Sequence, residues 1–259
     1  MALDLGRYGS RELLKLQIFD FGATPTPRMY FDYSTGSSDE TASDRVFAIG
    51  GSGGVRRIKF DGSKTKTLTV ETQIFTMDHL AMLAGNPIVS GEKDVYKTQI
   101  VTVESDGSSG KQVTLDKSPV GASLTFVYKF VNGVKTGSPA TITSVTTNVV
   151  KFTAADIAIG DEVEVYYKTT VASTHSVNYT TKGFPGYVKL VGDSVYADEV
   201  AGELVPVQKV YHKASLQPNY TVTHNATGDP SVLTLVFDLF PIKVDGEDSY
   251  GEEIIYDEA

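Results

Sequence analysis

The residues whose types and spacing could do chemistry are few and scattered. The glycine-rich stretch I-G-G-S-G-G-V-R-R, residues 49–57, follows a strand-like run and invites a phosphate cradle with Arg56 and Arg57 as anion partners. Its spacing fails: counted from Gly51 through Gly53, the third glycine of G-x-G-x-x-G would fall on Arg56, no helical pattern follows, and the Lys and Ser/Thr of a phosphate loop are missing. It reads instead as a turn or bulge that uses glycine's freedom at positive φ. His79, His175, His212 and His224 share no H-x-x-x-H or H-E-x-x-H spacing and read as polar surface or strand residues, not ligands. Asp161, Glu162 and Glu164 come near a paired-carboxylate look, but alternation puts Glu162 and Glu164 on the wet face of E-V-E-V-Y, where they serve as solvating charges. There is no G-x-S-x-G elbow, and with no cysteine there is no disulfide framework, thiolate zinc site or cysteine nucleophile. The N-x-S/T sequons at Asn178, Asn219 and Asn225 read as chance products of Thr-rich strands. The expectation is a protein with no catalytic residue, no metal and no cofactor.

The elements that would position any site are strands. At 259 residues the chain is long enough for one large all-β domain or two smaller ones, with a core that needs no covalent staple. Tryptophan is absent, so aromatic packing falls to 14 Tyr and 12 Phe. The first residues lack the apolar core of a secretory signal, and nowhere do 18 apolar residues run together, so the expectation is a soluble chain made in a cytoplasm, with no membrane partner. The formal charge is −9, of which residues 245–259 supply −7 through seven acids and no Lys or Arg. This disfavours tight, sequence-independent nucleic-acid binding. The acidic tail reads as a solvated, mobile terminus, with repulsion of nucleic acid, pairing with a basic neighbour or calcium binding as alternatives.

Alternation of apolar and polar residues, punctuated by Gly, Asp, Asn and Pro, recurs along nearly the whole chain and predicts short half-buried strands in antiparallel sheets. In L-L-K-L-Q-I-F-D-F the residues Leu14, Leu16 and Ile18 alternate as in a strand, whereas residues 33–43, small and polar, read as a loop. In T-K-T-L-T-V-E-T-Q-I-F, Leu68, Val70, Thr72 and Ile74 share one face. One helix is well punctuated: Thr76 as cap, Asp78 in the first turn, an apolar stripe of Met77, Leu80, Ala81, Leu83 and Ala84, and Gly85 as left-handed stop. Residues 96–177 differ in texture, being rich in Val and Thr and carrying six strand candidates, with Asn132-Gly133 the strongest hairpin signal. The organisation predicted is a core of residues 1–95 and 178–259, a mainly antiparallel sandwich or barrel with one short packed helix, interrupted by a small β-sandwich lobe at 96–177.

The segment F-P-G-Y-V-K-L-V-G-D-S-V-Y-A-D-E, residues 184–199, resembles a block near the C-terminal end of many phage tail tube and related virion structural proteins. So does its continuation, in which a V-G-D turn leads to a strand of the form L-x-P-N-Y-T-x-T, a G-D-P-S hairpin and a long apolar strand. Support comes from K-T-L-T-V-E-T-Q-I-F-T-M-D-H-L-A-M-L-A-G, which is similar to the strand-then-helix unit such proteins use. The resemblance implies a virion tail protein whose partner is itself, as hexameric rings stacked around a channel that DNA transits without sequence-specific binding, with a sheath or other tail proteins as further partners. The segments expected to join subunits are the arm at residues 3–21, residues 33–54 and the acidic tail, with Leu14, Leu16, Ile18, Val236 and Phe240 as interface residues. In the last strand Leu233, Leu235, Phe237 and Leu239 form a wholly apolar face suited to a core, whereas Val232, Thr234, Val236, Asp238 and Phe240 form a mixed face suited to a subunit contact. A second reading is a carbohydrate- or host-surface-binding β-sandwich, for which Tyr166, Tyr167, Tyr187 and Tyr220 would serve as platforms.

Overall fold

A computed structural model describes residues 7–10, 14–51, 53–74, 76–199, 202–222 and 232–256. In chain order the first strands are β1 (Tyr8–Ser10), β2 (Lys15–Asp20), β3 (Thr26–Phe31), β4 (Ser34–Gly50) and β5 (Val55–Thr72), followed by helix α1 (Met77–Ala84). Next come β6 (Ile88–Thr102), β7 (Glu104–Ser105), β8 (Lys111–Thr114), β9 (Phe126–Val131), β10 (Val134–Thr136), β11 (Thr141–Thr146), β12 (Val149–Thr153) and β13 (Glu162–Val177). The chain closes with β14 (Tyr187–Asp198), β15 (Leu204–Leu216), β16 (Leu233–Leu239), β17 (Ile242–Val244), β18 (Glu247–Ser249) and β19 (Gly251–Ile255). The fold is all-β with antiparallel sheets and one α-helix among the described residues, as the alternation predicts. It divides into two compact units, Met1–Ile88 with Val177–Ala259, and Val89–Ser176.

The first unit is built on one nine-stranded sheet in the order β3-β2-β14-β15-β16-β5-β4, with β1 also on β14 and β19 also on β15. Period-two alternation decides which side chains face the core. In β16 the residues Leu233, Leu235, Phe237 and Leu239 are all buried, while Thr234 is exposed and Val236 and Asp238 are half-buried. Leu16 and Ile18 of β2, Leu68 and Val70 of β5, and Val188 and Leu190 of β14 join them in one cluster, which Met82 and Leu83 of α1 also enter. Full burial of each such side chain stabilises by about 1.5–3 kcal/mol.

Two structural details replace expected turns or loops. Residues 34–43, read from composition as a loop, are the first half of β4 and pair with Lys64 to Thr72 of β5, with one register shift between Ser34 and Gly36. The ladder hydrogen bonds outweigh the weak strand propensity of Ser, Gly and Asp there. The V-G-D segment is not a turn but the middle of β14, with Gly192 opposite Leu16 on one side and Lys209 on the other. A Cβ on Gly192 would lie 2.5 Å from the Leu14 side chain, so the glycine is there to admit Leu14. The expected G-D-P-S hairpin lies outside the described residues.

Helix α1 keeps its predicted bounds and its left-handed stop at Gly85, φ 62°. Its buried face is rotated from the expected stripe: His79, Ala81, Met82, Leu83 and Ala84 are inside, Leu80 is half-buried and Met77 is exposed. Thr76 N–H donates to His79 Nδ1 at 2.9 Å, so the imidazole takes the place of the carboxylate or amide of a capping box. Ile74 falls beyond the end of β5 and is exposed, because the Thr72 hydroxyl accepts the Ile74 N–H at 2.9 Å and turns the chain out of the strand.

The second unit is a sandwich of two four-stranded sheets, β10-β9-β13-β6 and β11-β12-β8-β7. Val127, Val163, Val165 and Tyr167 from the first meet Val113, Val150 and Phe152 from the second in a common core. Asn132 and Gly133 turn β9 into β10 at φ 53° and 82°, the geometry an Asn-Gly hairpin demands.

Candidate assembly interface

β4 and β5 form a hairpin much longer than the sheet that holds it. The root is secured: Lys66 to Thr72 of β5 pair with Leu239 to Leu233 of β16. At Asp39 the Tyr211 hydroxyl donates to Oδ2 at 2.7 Å and Lys66 Nζ lies 3.0 Å from Oδ1. Burial first, then this carboxylate, hold the Tyr211 hydroxyl far above its ordinary pKa and so keep it a donor. The Tyr250 hydroxyl donates to the Lys64 carbonyl from the other side. Beyond that point, among the described residues, β5 from Val55 to Thr65 pairs only with β4, a ribbon of about 35 Å at ~3.3 Å per residue. Its tip turns through Gly51, Gly53 and Gly54, all at positive φ, which accounts for the glycine-rich stretch as a hairpin end.

The ribbon has two unlike faces. Val46 pairs with Phe60 and Ala48 with Ile58, giving one apolar face on which Val46, Ile58 and Phe60 are each more than half exposed. The opposite face carries Arg45, Phe47 and Lys59, with Arg56 stacked 4.2 Å above the Phe47 ring. Asp61 Oδ1 receives Arg45 Nε at 2.5 Å and Oδ2 receives Lys59 Nζ at 3.0 Å, and these two partners hold its carboxyl below the usual range. A two-stranded ribbon is at best marginally stable in water, and an apolar stripe on one needs a cover.

A second exposed patch lies on the outward face of the main sheet. Tyr187 meets Phe240 edge-on at 5.4 Å and Phe21 at 6.2 Å, and Lys213 Nζ lies 3.9 Å from the Tyr187 ring centre. Phe21 and Tyr187 are each more than two-fifths exposed. Both ends of the sheet are also open, since among the described residues β3 pairs only with β2, and β4 only with β5. Open edges are templates for a strand from another chain.

The model of the YomU/Tube protein family matches residues 13–252. The chain belongs to the YomU/Tube family. No curated protein matches it. Membership makes it a phage tube-like structural protein, a component of the virion tail that assembles with copies of itself and other virion proteins. The matched range includes the whole second unit, Val89–Ser176. No helix among the described residues is long and apolar enough to cross a membrane.

Within this family member, the residues singled out from sequence fall in different places. Leu14, Leu16 and Ile18 are sealed in the protomer's own core and have no side-chain surface to offer a neighbour, because their alternation faces the helix side of the sheet. Val236 and Phe240 are half-buried on the outward side, Phe240 within the aromatic patch. The tail is not a free end through residue 256: β19 pairs with β15 from Val207 to Tyr211, and β18 pairs with β17. Ile254 and Ile255 supply the strand character that the acids obscure.

The ionisable residues of the sequence also find structural places. His79 is fully buried, His175 meets the Ser90 hydroxyl at 2.8 Å, and His224 lies outside the described residues. Asp161 accepts the Ala158 N–H at 2.8 Å and Lys129 Nζ at 2.8 Å, and those contacts lower its pKa. The ribbon's apolar face was the feature sequence reasoning missed, although the spacing of Val46, Ala48, Ile58 and Phe60 about the glycines carried the signal.

Proposed function

We propose that the protein is the tail tube subunit, closing as six copies into rings that stack into a channel for DNA. The observation that carries the reading is the β4–β5 ribbon, whose apolar face is left uncovered by the described residues. Laid against a neighbouring ring, that face would lose its contact with water, while the open edges of β3 and β4 would extend sheets between subunits through backbone hydrogen bonds. Six-fold symmetry and the channel come from the resemblance to tail tube proteins; the ribbon supplies the adhesion. The chain's acidic balance fits the channel, since a basic lining would hold DNA phosphates by counterion release.

The test is electron microscopy of the purified protein over a wide concentration range. Stacked rings in the wild type, and single protomers or unstacked rings in Phe60→Lys, are the expected results. Only monomers in the wild type at every concentration would sink the reading, as would normal tubes from Phe60→Lys together with Ile58→Lys.

A further inference from the structure

The second unit carries a surface that tube assembly does not call for. In the β10-β9-β13-β6 sheet, alternation sends Val127, Val163, Val165 and Tyr167 into the sandwich core. The residues between them face out, where a sandwich ordinarily shows polar side chains. Here the outward face holds Phe126, Tyr128, Tyr166 and Tyr96. Tyr96 is 80% exposed and Phe126 46%, so their rings are not occupied by packing. Tyr128 and Tyr166 stand edge to face at 6.1 Å and 88°, which leaves a stepped aromatic floor and not a flat one. Together with lysines 97, 135 and 168 these rings line a cleft of about 420 Å³, within the size range of small-ligand sites.

The charge of the cleft sets the ligand class. Lys135 Nζ lies 4.8 Å from the Tyr128 ring centre and 5.1 Å from that of Tyr166, and Lys168 Nζ lies 4.4 Å from that of Tyr96. No ion pair holds either lysine among the described residues, so both charges rest on aromatic faces, a weak and displaceable contact. No acid is among the residues that line the cleft; Glu164, paired with Tyr128 on the same face, is already engaged as acceptor of the Tyr166 hydroxyl. Aromatic floor, phenol hydroxyls and ammonium groups without an acidic partner match a ligand with apolar ring faces, hydroxyls and negative charge. We propose that this cleft binds an anionic polysaccharide, with sugar rings stacked on Tyr96, Phe126 and Tyr166 and a carboxylate or phosphate drawn to Lys135 and Lys168.

Single-stranded nucleic acid shares the stacking and charge logic but needs a basic track along its backbone. Residues 89–176 contain no arginine and eight lysines against nine acids, so there is no such track. The proposal concerns the protomer and stands or falls separately from tube assembly.

Isothermal titration calorimetry of the full-length protein tests it. The probes are tetragalacturonic acid and a glycerol-phosphate oligomer as anionic glycans, maltotetraose as the neutral control, and an oligothymidylate. The expected result is saturable binding of at least one anionic probe, at least tenfold tighter than maltotetraose, and weakened at least tenfold in both Tyr96→Ala and Lys135→Gln. The two anionic probes separate carboxylate from phosphate as the recognised group. Four outcomes would overturn the proposal: no heat with either anionic probe, anionic binding untouched by Tyr96→Ala, tighter binding of the oligothymidylate, or a dimer in solution that the same two variants dissolve. Both side chains are solvent-facing, and matching thermal unfolding of the variants confirms that the fold is intact.

Discussion

At the scale of single residues, β16 sets two neighbouring side chains to opposite tasks. Phe237 is fully buried in the first unit's core, and Val236 beside it is half-buried on the outward face. Phe237→Lys should therefore unfold the unit, and Phe237→Ala should cost about 3–5 kcal/mol. Val236→Lys should shift stability by less than about 1 kcal/mol but reduce tube formation, read by urea unfolding and electron microscopy respectively. His79 makes a different prediction. Its Nδ1 accepts the Thr76 N–H, so the proton sits on Nε2, the one buried side-chain nitrogen or oxygen among the described residues with no hydrogen-bond partner. It stands edge-on to the Phe31 ring at 5.1 Å, and burial pushes its pKa down against the opposing charge of Asp78. A histidine depressed in the folded state binds more protons once unfolded. Its contribution is complete above the unfolded value of about 6.5 and is lost as pH falls from there toward the folded value. The urea midpoint should fall between about pH 7.5 and pH 5.5, and His79→Gln, which keeps an acceptor for Thr76 but does not titrate, should flatten that slope. An equal slope in wild type and variant would refute the assignment.

At the scale of elements, the β4–β5 hairpin contains two parts with separate energetics. The root is held by β16, Tyr211 and Tyr250, whereas from Asp44 to Gly62 the described residues are exposed or, at Phe47 and Ala48, half-buried. Arg45 and Asp61 face each other across the ladder, so an Asn-Gly turn can join them directly. Replacing residues 46–60 by Asn-Gly should leave circular dichroism and the melting temperature within a few degrees of wild type while abolishing tubes. A collapse of the fold would show that the ribbon stabilises the protomer instead. The same hairpin shows what the sequence could and could not convey. Where one face is buried and the other wet, as in β2, β16, β12 and the first half of β13, period two is visible and the strands are legible. The first half of β4 is wet on nearly every side chain, so its composition resembles a loop, and only pairing with β5 makes it a strand. The same physics hid the ribbon's apolar face, the proposed assembly site. An interface is apolar on a face that the protomer leaves in water, so Leu14, Leu16 and Ile18 could not be distinguished by pattern from Val46 and Phe60 until burial separated them.

At the scale of the whole molecule, one chain carries two units whose proposed roles do not depend on each other. The second unit has its own core, and the chain leaves for it and returns at points already joined in the first unit. Asn86 Nδ2 donates to the Asn178 carbonyl at 2.8 Å and to the Ala84 carbonyl at 3.0 Å. Gly183 packs so closely there that a Cβ would lie 2.4 Å from the Ala84 carbonyl oxygen. The residues of this clasp all lie in the first unit. Replacing Val89–Ser176 by Gly-Ser-Gly should thus give a soluble protein that retains the sheet and helix. Circular dichroism would check that, and electron microscopy should still find tubes. The same variant should lose all binding of anionic oligosaccharide in calorimetry, whereas the variant without the ribbon should keep it and form no tubes. That double dissociation is the sharpest consequence of the two-unit architecture. If removing the second unit instead prevents both folding and assembly, its core must be coupled to that of the first, and assigning adhesion to the ribbon alone would be wrong.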